Sequence, residues 1–307
     1  MKRTILLLCL ALTSLATPAF ELKVKQVIEN VYAIVGEIGP RTSDNHALNN
    51  TLGFVVTKEG TVLVSTGATP EAGRLIEQAV ASVTNKPIRL VVNIGVQDHH
   101  WLGNSYFAEK GIPIKALKRT VDSQHQHVNA QLKRLAAQIG TESKTVHPVY
   151  ASDVVDADQQ KFLMGGISFQ LLWPGDGHFT GDAVLWMPEA RLVFTGDYVF
   201  HNRMLGIHNT ESVARWQNAF HVIEKLDPLL VIPGHGYPGD FNKAKHDTGN
   251  YLDWLTMSVA KALDDWQELG DTVEELGDAP AYSKLKFYSD WHKRNIHTTY
   301  IQFEAER

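Results

Sequence analysis

Side chains that can bind a metal ion occur at several points along this chain, each next to a predicted β-strand. A sheet holds the backbone of its strands in place, so a ligand at a strand end has a fixed position. Imidazole and carboxylate donors suit zinc, iron and manganese rather than metals held by soft thiolates. The candidates are two adjacent histidines, His99 and His100, and three residues further along, His178, Asp197 and His235.

Two polar residues before this histidine pair have roles that the sequence leaves open. The amide oxygen of Gln97 is a weak metal ligand, and the carboxylate of Asp98 can act as a ligand or as a general base. Asp197 is the other candidate catalytic carboxylate. The single cysteine, Cys9, lies in the N-terminal segment, so we expect no thiolate ligand.

The elements that must position these residues follow the same order twice. Short β-branched runs come first, then a helix, then a strand that leads into a histidine loop. This order predicts an α/β fold, an αββα sandwich of two mixed β-sheets with outer helices. The predicted strands cover residues 31–35, 52–56, 61–65, 90–93, 112–117, 167–172, 183–187, 192–195 and 229–232, and the helices cover 70–83, 104–110, 121–139 and 211–226.

The last part of the chain has a helical pattern. Apolar residues from Tyr251 to Trp266 share one helix face, and a further helix carries Phe287 and Trp291. We therefore predict a sandwich domain over residues 20–239 and a C-terminal helical extension over residues 240–307.

The first 19 residues have the composition of a cleaved signal peptide. Lys2 and Arg3 precede an apolar run over residues 5–16, and small residues end it at Ala19. The run is shorter than the roughly 20 residues that a membrane-spanning helix needs. We therefore expect cleavage after Ala19 and a periplasmic location.

The charge of the chain limits its partners. It carries 29 basic and 34 acidic residues, a net charge of −5, without a basic cluster. Nucleic acid is therefore not an expected partner, and no membrane span is predicted after residue 19. We expect the partner to be a small-molecule substrate.

Several short motifs, in their order and spacing, resemble those of the metallo-β-lactamase-fold hydrolases over about residues 27–238. The resemblance implies a metal-dependent hydrolase in which a metal-bound hydroxide attacks an ester, thioester, lactone or amide. The motifs are Leu63-Val-Ser-Thr-Gly67, Trp101-Leu-Gly-Asn104, Gly177-His-Phe-Thr-Gly-Asp182, Thr195-Gly-Asp197 and Pro233-Gly-His-Gly236.

The chain departs from the family pattern in its first metal loop. The family motif His-x-His-x-Asp-His falls on Gly95, Gln97, His99 and His100, so that one of its three histidines remains in place. The family's Asp-Thr-Gly is Ser65-Thr66-Gly67 here, which removes a carboxylate behind the metal ligands.

The resemblance therefore implies one intact metal position. The position that would use His178, aided by Gln97, has lost its two motif histidines. The other position keeps His99, His100 and His235, and the family places the residue corresponding to Asp197 between both. We expect one metal ion, zinc, with iron or manganese as alternatives.

Four alternatives remain open. In a register shifted by one residue, Asp98 and His99 form the motif pair and His100 stands behind them. The chain is also similar to a periplasmic branch associated with sulfur oxidation and quinoprotein systems. The depleted loop is consistent with a non-catalytic binding or relay protein. The histidine-rich set also suits redox or sulfur chemistry at a single iron ion.

Three places outside this set are further candidates. The segment 203–206 can line the substrate mouth, together with His201 or His208, and the loop with His46 can cover the site.

Overall fold

Two mixed sheets face each other in the computed structural model, which describes residue 20, residues 22–208 and residues 212–307. The predicted signal peptide and the predicted helix start at residue 211 lie outside the described residues. Since the helices flank the two sheets, the predicted αββα sandwich with C-terminal helices is confirmed.

The first sheet contains seven strands in the order of the chain. The first four pair antiparallel, and the last three are added in parallel. The strands are β1 (Lys23–Ile28), β2 (Val31–Val35), β3 (Thr51–Thr57), β4 (Gly60–Val64), β5 (Ile88–Val92), β6 (Ile114–Leu117) and β7 (Asp153–Val155).

The second sheet contains six strands in the order β13-β12-β11-β10-β9-β8. Only β11 and β12 pair in parallel. The strands are β8 (Gln159–Met164), β9 (Ile167–Leu172), β10 (Val184–Met187), β11 (Leu192–Phe200), β12 (Leu230–His235) and β13 (Gly239–Asp240). The predicted division between residues 239 and 240 falls inside β13.

The α-helices pack on the outer faces of both sheets. They are α1 (Pro70–Ala81), α2 (Asn104–Ala108), α3 (Lys118–Ile139), α4 (Val213–Glu224), α5 (Phe241–Ala244), α6 (Asn250–Asp264), α7 (Leu269–Glu275) and α8 (Tyr288–Ala305). The start of α1 illustrates the local rules: Thr69 caps it by accepting a hydrogen bond from the Ala72 amide, and Pro70 supplies a preset φ at the first position.

The main core lies between the sheets. Valines and leucines of the first sheet, such as Val62 and Leu90, meet Phe169, Leu185 and Phe194 of the second. Alternation along each strand brings these side chains to the inner faces. Burying one such side chain contributes about 1.5–3 kcal/mol.

The C-terminal helices share a core with the second sheet. Leu255 and Val259 of α6 and Ile296 of α8 lie in one buried cluster with Val193 and Val231. The helical extension therefore packs directly on the sandwich. Among the described residues no helix has the length and hydrophobicity needed to cross a membrane.

Candidate metal centre

The metal-binding candidates meet at one edge of the sandwich. A short 3-10 turn, Asp98–His100, follows β5 of the first sheet. Asp197 lies within β11 and His235 ends β12, and the parallel pairing of these two neighbouring strands brings both residues to the same edge.

Asp197 lies at the centre of the group. Its Oδ2 is 3.1 Å from His99 Nε2, and its Oδ1 is 3.4 Å from His100 Nε2 and 3.5 Å from His235 Nε2. All four side chains are buried. Donor atoms of His99, Asp197 and His235 lie within 4.8 Å of one another, which is close enough for a single ion to contact all three.

The donor atoms of this group fit a metal ion. Asp197 Oδ1 and the Nε2 atom of His100 are buried, and the described residues give them no hydrogen-bond partner. A buried polar atom without a partner costs about 1–3 kcal/mol. A cation bound between these atoms offsets that cost, and one carboxylate with three imidazoles is a donor set typical of zinc.

The protonation states also suit a metal. Burial lowers the pKa of His99 to about 4 and that of His235 well below the usual 6.5, so both rings are neutral near pH 7. Burial alone raises the pKa of Asp197, but the adjacent imidazoles outweigh it and hold the pKa well below 3.8. His99 and His235 therefore present neutral rings beside one carboxylate.

Two of the rings are oriented as metal ligands. His235 Nδ1 lies 2.9 Å from the Asn49 carbonyl oxygen, which only accepts, so the proton is on Nδ1. His100 Nδ1 lies 2.9 Å from Ser65 Oγ. With the ring proton again on Nδ1, the ring donates a hydrogen bond to this hydroxyl oxygen. In each ring the lone pair of Nε2 then points toward Asp197, and a fixed tautomer of this kind supports metal binding.

His99 has a different neighbour. Its Nδ1 contacts the guanidinium of Arg41, which can only donate, so the ring proton belongs on Nε2 and faces Asp197. His99 therefore becomes an Nε2 ligand only after Arg41 shifts and the ring proton moves to Nδ1.

Asp98 is held away from this group by arginines. Its Oδ1 is 2.6 Å from Arg41 Nη1, and its Oδ2 is 3.4 Å from Arg134 Nη2. Burial raises the pKa of this carboxyl, but the two guanidinium groups outweigh burial and lower the pKa overall. Asp98 thus carries a negative charge that both arginines neutralise.

His178 and Gln97 form a separate pair. His178 Nε2 donates to Gln97 Oε1 at 3.1 Å, which leaves the buried Nδ1 without a partner among the described residues. Neither residue belongs to the close group around Asp197.

Gly95, where the family pattern has its first motif histidine, lies directly against the His100 ring. A Cβ atom at this position would lie 2.2 Å from Cδ2 of His100, a distance at which atoms overlap. The His100 ring therefore fills the space beside residue 95 that any larger side chain needs.

A cavity of about 560 Å³ opens above this edge. Segment 203–206 contributes Arg203 and Gly206 to its wall, in line with the sequence prediction, and His208 lies there as well. His201 instead bonds the Tyr237 carbonyl, and the candidate covering residue His46 contacts Glu142.

The sequence alone did not indicate the arginines and the aromatic wall of this cavity. Arg41 comes from the loop before β3, Arg134 from α3, and Phe287 and Trp291 from the start of α8. The sequence gives little indication that these residues line a site, because arginine and aromatic residues are also common on exposed or packed helices.

The fold and this site place the chain in a known class. Residues 48–235 match the family model of the metallo-beta-lactamase superfamily, which is more than half of the chain. The chain therefore belongs to the metallo-beta-lactamase superfamily.

Particular relatives are distant. The chain is 24% identical over 147 residues to the 2,4-dinitroanisole O-demethylase subunit alpha of Nocardioides sp. (strain JS1661), a match that covers 46% of this chain and 44% of that protein. It spans about half the length of the curated relatives it matches.

Two solved structures share the fold. A metallo-beta-lactamase from Pontibacter korlensis superposes with a TM-score of 0.58 and 23% identity, covering 76% of this chain and 99% of that one. The inverting sec-alkylsulfatase Pisa1 from Pseudomonas sp. has a TM-score of 0.70 and 14% identity, covering 92% of this chain and 50% of that one.

Proposed function

We propose that the protein is a hydrolase that uses one metal ion, zinc in preference to iron or manganese, to cleave an ester, thioester, lactone or amide. The observation that carries this proposal is the buried group of His99, His100, Asp197 and His235 with donor atoms that lack other partners. A divalent metal bound there polarises a carbonyl and lowers the pKa of water.

The side chains around the metal position divide the remaining work. Asp197 stays ionised and can accept a proton from a water molecule next to it. His100 and His235 hold their Nε2 lone pairs in place through Ser65 and Asn49. The buried position of the group excludes bulk water, which strengthens each of these interactions.

The geometry supports the register in which His99 and His100 are the motif pair. In the shifted register Asp98 would be a ligand or the general base, but both of its oxygens already pair with arginines. We assign Asp98 the role of holding Arg41 against His99.

Metal analysis and turnover test the proposal together. We expect close to one equivalent of metal in protein grown in supplemented medium, and hydrolysis that His235→Ala abolishes. The matched control is His221→Ala on α4, since that ring is 40% exposed and contacts Glu224 and Asp253 rather than Asp197. Less than a tenth of an equivalent of metal in the wild type would contradict the proposal.

A binding or relay role is the second candidate. The contact of Arg41 with His99 Nδ1 favours it, because a donor at this position opposes the ligand form of the ring. This role predicts a stable protein without turnover on thioester, lactone and β-lactam panels. Iron in the isolated protein, with redox activity and no zinc, would instead support the mononuclear iron alternative.

We also propose a periplasmic location and a boundary near residue 240 between the sandwich and the helical extension. The basic start, apolar run and small residues of segment 1–19 support export. N-terminal sequencing of protein from a periplasmic fraction tests it, with Phe20 as the expected first residue.

A further inference from the structure

Arg203 is a half-buried cation that forms no salt bridge with a carboxylate of the described residues. Its Nε is buried and has no hydrogen-bond partner within the described part of the chain. Its Nη1 lies 3.2 Å from His235 Nδ1, but that nitrogen already donates its proton to the Asn49 carbonyl. The guanidinium therefore faces a second donor at Nη1, and its Nε also remains unsatisfied among the described residues.

The other two arginines of the cavity share one carboxylate. Arg41 and Arg134 both pair with Asp98, and together they leave one excess positive charge beside it. Arg203 adds another, although the chain as a whole has a net charge of −5. The cavity is therefore a local positive region in an acidic protein, which favours entry of anions.

Arg203 is fixed in position by the backbone. The amide of Met204 donates to the Lys286 carbonyl at 2.8 Å, and the Lys286 amide donates to the Asn202 carbonyl at 3.0 Å. This pairing sets the Arg203 guanidinium 5.1 Å from the centre of the Phe287 ring. A fixed guanidinium loses little freedom when it binds an oxoanion, and its fork suits two oxygens at once.

Apolar surface adjoins the charge. Phe200, Phe287 and Trp291 line the same cavity of about 560 Å³. Trp291 packs so closely over Gly206 that a Cβ there would lie 2.9 Å from its ring. The cavity thus combines an aromatic wall with a guanidinium that has no carboxylate partner within the described residues.

We infer that Arg203 binds an oxoanion, a carboxylate or sulfonate-like group, of a small substrate whose apolar part lies against Phe287 and Trp291. Only the width of the His235 ring separates this charge from the metal-binding group, so the anionic group lies close to the bond that is cleaved. This inference rests on the proposed function only in taking the bound anion to be part of the substrate.

Binding of matched probes tests the inference without turnover. Benzoate, benzenesulfonate and the neutral benzamide have the same ring and differ in charge. We expect calorimetric titration of the metal-loaded protein to show binding of both anions at least tenfold tighter than benzamide. Protein stripped with a chelator should keep the preference, because Arg203 is not a metal ligand.

Variants assign the preference to a residue. Arg203→Met should abolish it, and Arg203→Lys should keep part of it. The control Arg215→Met, at an arginine that is 69% exposed on α4, should leave it unchanged. If Arg203→Met unfolds, comparing the binding of benzoate and benzamide to the wild type and to Arg203→Lys still tests whether Arg203 causes the preference for anions.

Three outcomes would overturn the inference: equal binding of anions and benzamide, a preference that survives Arg203→Met, or a preference lost only in Arg134→Met. Failure of the proposed hydrolase function can be distinguished from failure of this inference. A protein that prefers benzoate through Arg203 but has no turnover keeps the anion site and loses the hydrolase.

Discussion

Gly95 connects the altered loop to the shape of the site at the scale of a single residue. The His100 ring occupies the space where a side chain at residue 95 would begin. The clash involves Cδ2 and Cγ of the ring, at 2.2 and 2.4 Å, so the ring must shift to make room. Restoring a histidine at this position alone would therefore displace His100 before it added a ligand.

We predict that Gly95→Ala lowers the free energy of unfolding by about 1–3 kcal/mol, the usual cost of overpacking, and weakens metal binding. Denaturant unfolding and metal titration measure the two effects. Gly270→Ala is the control, because no atom lies within 4 Å of a Cβ at that position. Unchanged metal affinity in Gly95→Ala would show that His100 does not need its present position.

Ser65 takes the place of a family carboxylate behind His100. Its backbone has a φ of 68°, a left-handed conformation in which asparagine and aspartate are enriched among residues other than glycine. Its Oγ accepts the Nδ1 proton of His100 at 2.9 Å. The hydroxyl thus keeps the tautomer that the lost carboxylate would have imposed.

We predict that Ser65→Ala weakens metal affinity by about 10- to 100-fold, the range typical for groups that orient metal-binding histidines. Ser65→Asp should bind metal at least as tightly as the wild type, because its carboxylate accepts the same proton and tolerates the same φ. Competition with a chromogenic chelator measures both. Ser105→Ala, a buried serine whose Oγ has no partner among the described residues, should have no effect on affinity.

At the scale of elements, α8 holds the cavity wall in place. Asn295 Oδ1 accepts from the Ile207 amide at 2.9 Å, and its Nδ2 donates to the Leu205 carbonyl at 2.9 Å. The side chain is fully buried. These bonds tie segment 203–208, which carries Arg203, to the C-terminal helices.

We predict that Asn295→Ala lowers the free energy of unfolding by about 3 kcal/mol, because it leaves a buried amide and a buried carbonyl unpaired. Hydrogen exchange should rise in segment 203–208 before it rises in the sheets. The exposed Asn242→Ala serves as the control. Protection that is lost uniformly would mean that the helix does not hold this segment locally.

The elements also show what the sequence could predict. The strands Val31–Val35 and Ile167–Leu172 begin and end where predicted, since polar turns bound both runs. The strand predicted over residues 192–195 instead runs to Phe200. Neither Gly196, at a φ of 52°, nor Asp197 ends it, because Phe200 still pairs with His235 of β12.

The candidate site could be predicted only in its residue types. Histidine loops and strand-end carboxylates stand out in a sequence, and the structure groups three of the histidines around Asp197. The arginines could not be found in this way. Arg41 and Arg134 lie 93 positions apart and meet only because Asp98 lies between them in the folded chain.

At the scale of the whole molecule, buried neutral histidines make the fold sensitive to acid. His201 is one that lies outside the group around Asp197. Its Nδ1 donates to the Tyr237 carbonyl at 2.7 Å, and its Nε2 is buried without a partner among the described residues. Burial lowers its pKa to about 4, because a charged ring there would lose its hydration.

The direction of the pH effect follows from this shift. In the unfolded chain the pKa of histidine is about 6.5, so between pH 6.5 and 4 the unfolded state binds a proton that the folded state does not. Stability is therefore fully present above pH 6.5 and falls as the pH drops toward 4. From pH 6.5 to pH 5 the contribution of His201 amounts to about 2 kcal/mol.

We predict that His201→Asn, which keeps a donor for the Tyr237 carbonyl but does not titrate, reduces the loss of stability between pH 6.5 and 5 by about 2 kcal/mol. Denaturant unfolding at both pH values, on metal-free protein, measures this difference. The exposed His297→Asn should lose as much stability as the wild type. Equal losses in His201→Asn and the wild type would show that His201 takes up a proton in the folded protein, and that the fold tolerates a positive charge beneath β12.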